Sequence, residues 1–400
     1  MSRATDDEAA ATETVAERAA VAAFLSAGFV TTVLWHAWVC DDAFVTFRTL
    51  DNFVNGYGLR WNIAERVQGF THPLWAFLFG GVYFFTREAF YSVFALSAAL
   101  AFVTVALVAL RISVSSGHAV VAVTALSLSH AVVEYSTSGL ENALTHVLLA
   151  WFAVVFFGGD MDRPRFQRLM WLMGALMLNR LDAIWLVIAP AIYSGWLVHR
   201  SNVARSQLMR DVMVGLSPLL LWLAFATIYF GFPLPNTAYA KLNTGIAAGE
   251  LWHQGFLYAL SLLNFDPAAV LCLFAAVLLA VRRGTPTSHR VWLLGALLYC
   301  VYTIRVGGDF MQGRFFSAPV VIAAISLARA SAPLHRLPML LASVGSLVLI
   351  GLAIPRTQPA KFKARGIADE RDHYAANASL LAAKRTPTVD TGILKISAIS

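Results

Sequence analysis

The sequence predicts an all-α polytopic membrane protein, a bundle of about 11 transmembrane helices with an outer loop of interfacial helices after the first span. Three observations predict it. Of the 400 residues, 58% are hydrophobic and 13% charged, where a soluble domain carries about 25% charged residues; mean hydropathy is +0.65. Apolar runs approaching the roughly 20 residues needed to cross a hydrocarbon core recur along the chain. The basic residues fall in short clusters between those runs, which is the pattern of a topology signal.

The elements follow in order. Residues 1–18, MSRATDDEAAATETVAER, are polar and mixed in charge and read as a disordered cytoplasmic N-terminus. They lack the basic n-region and small-residue cleavage site of a signal peptide, so the first span, 19–40, reads as a retained anchor. Residues 41–88 form one large outer loop. In its first part Phe44, Phe47, Leu50 and Val54 recur at helical spacing, which predicts an amphipathic surface helix. Asp41 and Asp42 stand at its N-terminus, where backbone N–H groups favour negative charge. The run 73–86, PLWAFLFGGVYFFT, is too short to cross comfortably and reads as interfacial or re-entrant.

Further spans are predicted at 89–112, 118–134, 140–157, 168–179, 182–198, 211–231, 265–281, 290–305, 314–330 and 337–355, so 19–355 is the transmembrane module. The clusters Arg163/Arg165/Arg168, Arg200/Arg205/Arg210, Arg282/Arg283/Arg290 and Arg329/Arg336 all belong on the cytoplasmic side. That parity makes 168–200 a tight hairpin with its tip at Asn179–Asp182. It also puts every unusual polar cluster on the outer face of a plasma membrane. From Pro355 the chain turns polar, and 356–400 reads as an outer tail, a remnant or the start of a soluble domain.

Several classes are excluded. The net charge of +7 is distributed as a topology signal; with no basic stripe and interleaved aromatics, nucleic acid is not a predicted partner. Cys40, Cys272 and Cys300 lie in or at apolar runs and form neither a metal spacing nor a disulfide framework. No metal site and no cofactor is predicted, and no Walker loop, H-E-x-x-H or G-x-S-x-G element occurs. Internal repeats are absent, which does not favour an inverted-repeat transporter.

The outer-face residues carry the chemistry. Asp41 or Asp42 is suited to take a proton from an acceptor hydroxyl; the plainer reading is a helix N-cap. Arg66 and His72, in ERVQGFTHPLW, suit a phosphate or a sugar, or are an interfacial arginine and a helix-start histidine. Glu141 in SGLEN heads a span. Arg180 suits a phosphate, or is neutralised by Asp182. Pro233–Thr237 reads as a rigid, helix-free loop that presents Asn236 and Tyr239, with Lys241 as the lone cation of 231–264. In RVGGDFMQGRFF the paired glycines allow close approach to a ligand. Arg305 and Arg314 flank Asp309 there as an anion clamp. No long cytosolic segment is present to bind a soluble nucleotide donor, so the donor reads as a lipid-borne phosphate.

Together, D-D-A-F-x-x-F-R, G-x-G-L-R-W-N, E-R-V-Q-G-F-T-H-P-L-W, S-G-L-E-N, F-P-L-P-N-T-x-x-A-K and G-G-D-F-M-x-G-R-F-F resemble the integral-membrane glycosyltransferases of the GT-C fold. More narrowly they resemble the actinobacterial terminal β-(1→2)-arabinofuranosyltransferases, from about residue 30 to 375. The resemblance implies a decaprenyl-phosphoryl-arabinofuranose donor, an arabinan acceptor and reaction at the outer face of the plasma membrane. It implies a catalytic acid in the first outer loop, at Asp41 or Asp42. From the residues themselves, Lys241, Arg305, Arg314 and Arg180 are expected to hold the donor phosphate. Arg66, His72, Glu141, Asn236, Tyr239 and Asp309 fall to the sugar or acceptor. Such proteins usually carry a soluble outer domain after the last span, and 366–374, GIADERDHY, resembles its beginning. Transfer of another polyprenyl-phosphate sugar such as mannose, or a polyprenyl-lipid transporter or flippase, stand as alternatives.

Overall fold

The computed structural model describes residues 13–242, 245–330 and 366–381. Among these residues the chain is helical, with only isolated bridges joining Trp38 to Ser379 and Met311 to Ala368. The predicted span 337–355 lies outside the described residues.

Helix α1 (Val15–Trp35) starts at a capping box in which Thr14 and Glu17 satisfy each other's backbone N–H groups. It stops five residues short of the predicted end, and after a turn at His36 residues 37–40 lead to the next helix. α2 (Asp41–Val54) is amphipathic as its spacing predicts. α3 (Pro73–Thr86) begins on a proline, whose missing N–H costs nothing in a first turn. α4 (Phe90–Leu107) continues into a π-helical turn, Val108–Ile112. The predicted span 118–134 is broken: α5 (Ser116–Leu128) ends before Ser129, whose hydroxyl caps the short α6 (His130–Tyr135). α7 (Asn142–Phe157) follows, then α8 (Arg163–Asn179), a 3-10 turn at Leu181–Ala183 and α9 (Ile184–Arg200). This is the predicted hairpin, with Arg180 and Asp182 at its tip.

Beyond the hairpin the reading needs correction. The predicted span 211–231 is two helices, α10 (Arg205–Gly215) and α11 (Ser217–Phe230), bent by 53° where Ser217-Pro218 starts a fresh first turn. The loop expected to be helix-free contains α12 (Asn236–Leu242), which begins just after Pro235. The rest of that loop forms α13 (Ala248–Phe265), which meets α14 (Pro267–Val281) at 107°. Asp266 sets the corner: its carboxylate accepts from Ala269 N at 2.9 Å, Ala131 N at 2.8 Å and Ser129 Oγ at 2.6 Å. α15 (Thr287–Arg305), a 3-10 turn at Arg314–Phe316, α16 (Ser317–Ala328) and α17 (Glu370–Ala378) complete the chain.

Fewer helices among the described residues than the expected 11 are long and apolar enough to cross a membrane. Among the described residues Val15–Trp35, Phe90–Ile112 and Leu181–Arg200 are long and apolar enough to cross a membrane, and five spans result if each bent pair counts as one. Pro73–Thr86, Ser116–Leu128, Asn142–Phe157 and Arg314–Ala328 are shorter apolar helices. This is the composition of a multi-pass membrane protein.

The bundle has two chemically distinct ends. At one, Arg18 donates to Ser113 O, Arg329 Nη1 donates to Ile112 O at 3.2 Å and Arg163 Nε meets Asp211 Oδ2 at 2.7 Å. At the other, Cys40 N donates to Ser138 O at 3.0 Å, and Asn142 Nδ2 donates to Ser317 Oγ at 3.0 Å. The long helices thus alternate in direction between an arginine-rich end and a carboxylate-rich end. Close helix contacts hold the scaffold: Gly295 of α15 lies so near the Leu186 carbonyl of α9 that any Cβ there would collide with it.

Candidate active site

Glu141 is the centre of the carboxylate-rich end. It precedes α7, and its residue is 1% exposed. The turn that brings it inward depends on Gly139, whose φ of +82° is open to glycine and strained for other residues. A Cβ there would lie 2.7 Å from Ala43 Cβ, so the turn also packs directly against α2. Trp75 Nε1 donates to Gly139 O at 3.0 Å, which fixes α3 against the same turn.

Three cationic or potentially cationic groups converge on this carboxylate. Arg180 Nη1 meets Oε1 at 3.0 Å, Arg314 Nη2 meets Oε1 at 3.2 Å, and His72 Nδ1 meets Oε2 at 3.2 Å. His72 caps α3, and its Nε2 shares a hydrogen bond with Thr46 Oγ1 of α2 at 2.9 Å. Each arginine also has other carboxylate partners. Arg180 makes a bidentate pair with Asp182, at 2.7 Å and 2.8 Å, and its guanidinium lies 4.4 Å from the centre of the Phe315 ring. Tyr299 OH donates to the same Asp182 at 3.3 Å. Arg314 Nη1 faces Asp309 Oδ2 at 3.5 Å and Asp42 Oδ2 at 3.9 Å. The mouth of the first loop and the loop after α15 therefore meet in one ionic network.

The two aspartates of the first loop differ. Neither is the N-cap: Cys40 occupies that position, and Asp41 and Asp42 fill the first turn, where the helix dipole still favours them. Asp42 turns toward Arg314. Asp41 is exposed, its Oδ1 accepting from Asp42 N at 2.8 Å and its Oδ2 accepting from Tyr374 OH at 2.9 Å.

Residues 366–381 supply a wall that the sequence did not reveal. Ala368 N donates to Phe310 O at 2.8 Å, and Gln312 N donates to Ala368 O at 2.9 Å. On the other side Val39 N donates to Ala378 O and Leu380 N donates to Ala37 O, both at 3.0 Å. Arg371 Nε donates to His36 O at 3.0 Å, while Nη1 reaches Glu134 at 3.8 Å. Burial, then the negative charges of Asp41, Asp42 and Asp309, push the Glu370 carboxyl up to about 8. Burial and the Glu134 charge push Asp369 up to about 7. The Tyr374 phenol is raised by burial and by its bond to Asp41.

Of the residues singled out from sequence, Asp42, His72, Glu141, Arg180, Asp309 and Arg314 join the network, with Asp41 at its edge. Others do not. Arg305 is exposed at the end of α15, so one arginine rather than two accompanies Asp309. Gly307 and Gly308, at φ +91° and +74°, turn the chain back so that Asp309 faces Arg314. Arg66 lies over the Tyr229 ring at 5.0 Å, as an arginine on an aromatic platform. Asn236 is exposed at the start of α12, and Tyr239 packs on Phe232 with ring centres 5.6 Å apart. Lys241 lies in α12, and its side chain is outside the described residues.

A helical membrane bundle with paired carboxylates and guanidiniums buried at one end is the class of protein these features define. The particular likeness is to glycosyltransferases. The chain is 28% identical to the terminal β-(1→2)-arabinofuranosyltransferase of Mycobacterium tuberculosis, over 71% of this chain and 51% of that protein. It is 27% identical to the protein of the same name from Corynebacterium glutamicum, over 71% of this chain and 46% of that protein. The resemblance carried by the motifs is thus also found across the aligned length, and the chain spans about half the length of the curated relatives it matches. No family model and no solved structure matches it.

Proposed function

We propose that the protein transfers a sugar, arabinofuranose, from a polyprenyl-phosphate donor to an arabinan chain end, at the outer face of the plasma membrane. The observation that carries the reading is the meeting of Asp42 and Arg314 at 3.9 Å beside the buried Glu141 network. A proton acceptor and a cation for a leaving phosphate are thereby adjacent. The polar cluster lies at the end of the bundle, whereas a transporter gathers its polar groups near the membrane midplane.

The reaction uses that adjacency. Asp42 takes the proton of the acceptor hydroxyl as the oxygen bonds to the sugar C1, while the C1–O bond to phosphate breaks and the polyprenyl phosphate departs with the electron pair. Protonated Asp42 no longer neutralises Arg314 Nη1, which stays held by Asp309 at 3.5 Å, and more of the guanidinium charge is available to the phosphate as its negative charge grows. Asp41, one turn edge away, orients the acceptor. Arg180 is committed to Asp182 and Glu141, and it keeps the floor of the site electrically fixed. Phosphate is a good leaving group, so positioning and charge stabilisation supply most of the acceleration.

The test is transfer from a synthetic polyprenyl-phosphoryl-arabinofuranose to an arabinofuranosyl disaccharide by the full chain in nanodiscs. Asp42→Asn is expected to lower kcat by about 100-fold, the scale of a lost general base. Transfer by Asp42→Asn at the wild-type rate sinks the mechanism, and selective use of a mannosyl donor in place of the arabinosyl one sinks the choice of sugar.

A further inference from the structure

Asp41 would be a poorly held side chain without the late segment. It is exposed and sits in the first turn of α2, and its own helix engages only one of its carboxylate oxygens, by Asp42 N. The other oxygen accepts from Tyr374 OH at 2.9 Å. Tyr374 is itself fixed, because Ala368 before α17 is tied to Phe310 and Gln312, and Ala378 and Leu380 at its far end are tied to Val39 and Ala37. Arg371, three residues earlier, anchors the helix to His36 O. The phenol therefore reaches Asp41 from a frame that also touches the loop bearing Asp309.

We propose that Tyr374 is a positioning residue of the acceptor side: its hydroxyl locks the Asp41 carboxylate in the rotamer that orients the acceptor hydroxyl toward Asp42. This rests on the transferase reading given above and deepens it by assigning residues 366–381 to acceptor recognition. The phenol donates to Asp41, whereas the donor side is built on Arg314, Glu141 and Arg180. A hydrogen bond to a charged group is worth about tenfold or more in an equilibrium, and here that effect falls on the acceptor alone.

The experiment compares wild type, Tyr374→Phe, Asp41→Asn and the double variant, as full chains in nanodiscs. Kinetics with the polyprenyl-phosphoryl-arabinofuranose donor are paired with direct titration of the disaccharide by NMR. Tyr374→Phe keeps the ring, so resistance of the 366–381 segment to limited proteolysis should be unchanged. The expected result is an acceptor KM and acceptor Kd raised about tenfold, donor KM within twofold, and a double variant no worse than Asp41→Asn. Wild-type acceptor constants in Tyr374→Phe with an impaired Asp41→Asn overturn this inference and leave the transferase reading standing. Release of the segment with both KM values raised assigns Tyr374 a purely structural part and also overturns it. A wild-type chain that neither binds the disaccharide nor transfers the sugar removes both.

Discussion

Replacing Glu141 by glutamine tests whether the ionic network is the keystone of this end of the bundle. The substitution keeps the shape and removes one charge that faces Arg180 at 3.0 Å, Arg314 at 3.2 Å and His72 at 3.2 Å. Breaking a buried ion pair by removing one partner costs about 3–5 kcal/mol, because the remaining charge is left in a poor solvent. Here each guanidinium retains another carboxylate. Arg180 keeps its bidentate bond to Asp182, and Arg314 keeps Asp309 at 3.5 Å and Asp42 at 3.9 Å. The expected loss therefore lies at the lower end, about 3 kcal/mol. At roughly 2 °C per kcal/mol for a chain of this size, the unfolding midpoint falls by about 6 °C. Intrinsic tryptophan fluorescence in nanodiscs reads that midpoint, at one fixed scan rate because membrane-protein unfolding is commonly irreversible. A midpoint within 1 °C of wild type, on the roughly 2 °C scale above, would show that the two arginines do not depend on Glu141 and would refute the reasoning.

The remaining predictions concern the same end of the molecule. Gly139→Ala forces a Cβ to within 2.7 Å of Ala43 Cβ at a φ of +82°; about 1–3 kcal/mol of destabilisation is expected, read as a lowered midpoint, and a neutral result would contradict the packing of α2 on that turn. Docking of 366–381 should weaken as pH rises through about 8, the value to which burial and the neighbouring aspartates push Glu370. The sign follows from linkage: the docked carboxyl keeps its proton where the undocked one, near its ordinary 4.5, has lost it. The undocked state therefore binds fewer protons between about 4.5 and about 8, and docking weakens progressively across that window, with the loss complete above it. Proteolysis of the segment at pH 6.5 and pH 9 measures this, with Glu370→Gln expected to reduce the difference and leave the part that Asp369, pushed up to about 7, contributes; equal cleavage at both values in the wild type would count against it.

Much of the network was legible because its members sit in short polar words at the ends of apolar runs. Asp42, His72, Glu141, Arg180, Asp309 and Arg314 each interrupt or border such a run, and a charge in that position must be solvated or paired. The local pairs Arg180–Asp182 and Asp309–Arg314 could be read from spacing, but the pairing of Glu141 with His72, Arg180 and Arg314, and of Asp42 with Arg314, was not legible, since it depends on distances between segments far apart in the chain. Arg305 and Arg314 look equivalent in sequence, and the positive-φ glycines between them, Gly307, Gly308 and Gly313, turn the chain so that their fates differ. The corners at Leu216 and Asp266 escaped because a hydropathy average runs smoothly across a break. Asp266-Pro267 was a readable signal all the same, an acidic cap followed by a first-turn proline. Tyr374 and Glu370 lie in a polar stretch with no apolar periodicity, and nothing local announces what they touch.

The bond between Tyr374 and Asp41 joins residues 333 positions apart. A ribosome adding about 5–20 residues per second makes the first aspartate on the order of twenty seconds to a minute before its partner. During that interval the early helices can insert and pair while the stretch around Ala37 and Val39 still lacks the hydrogen bonds that Ala378 and Leu380 will supply. The carboxylate-rich mouth is thus completed only after the early helices are made, and a nascent chain has the scaffold of that end before the 366–381 wall can close on it.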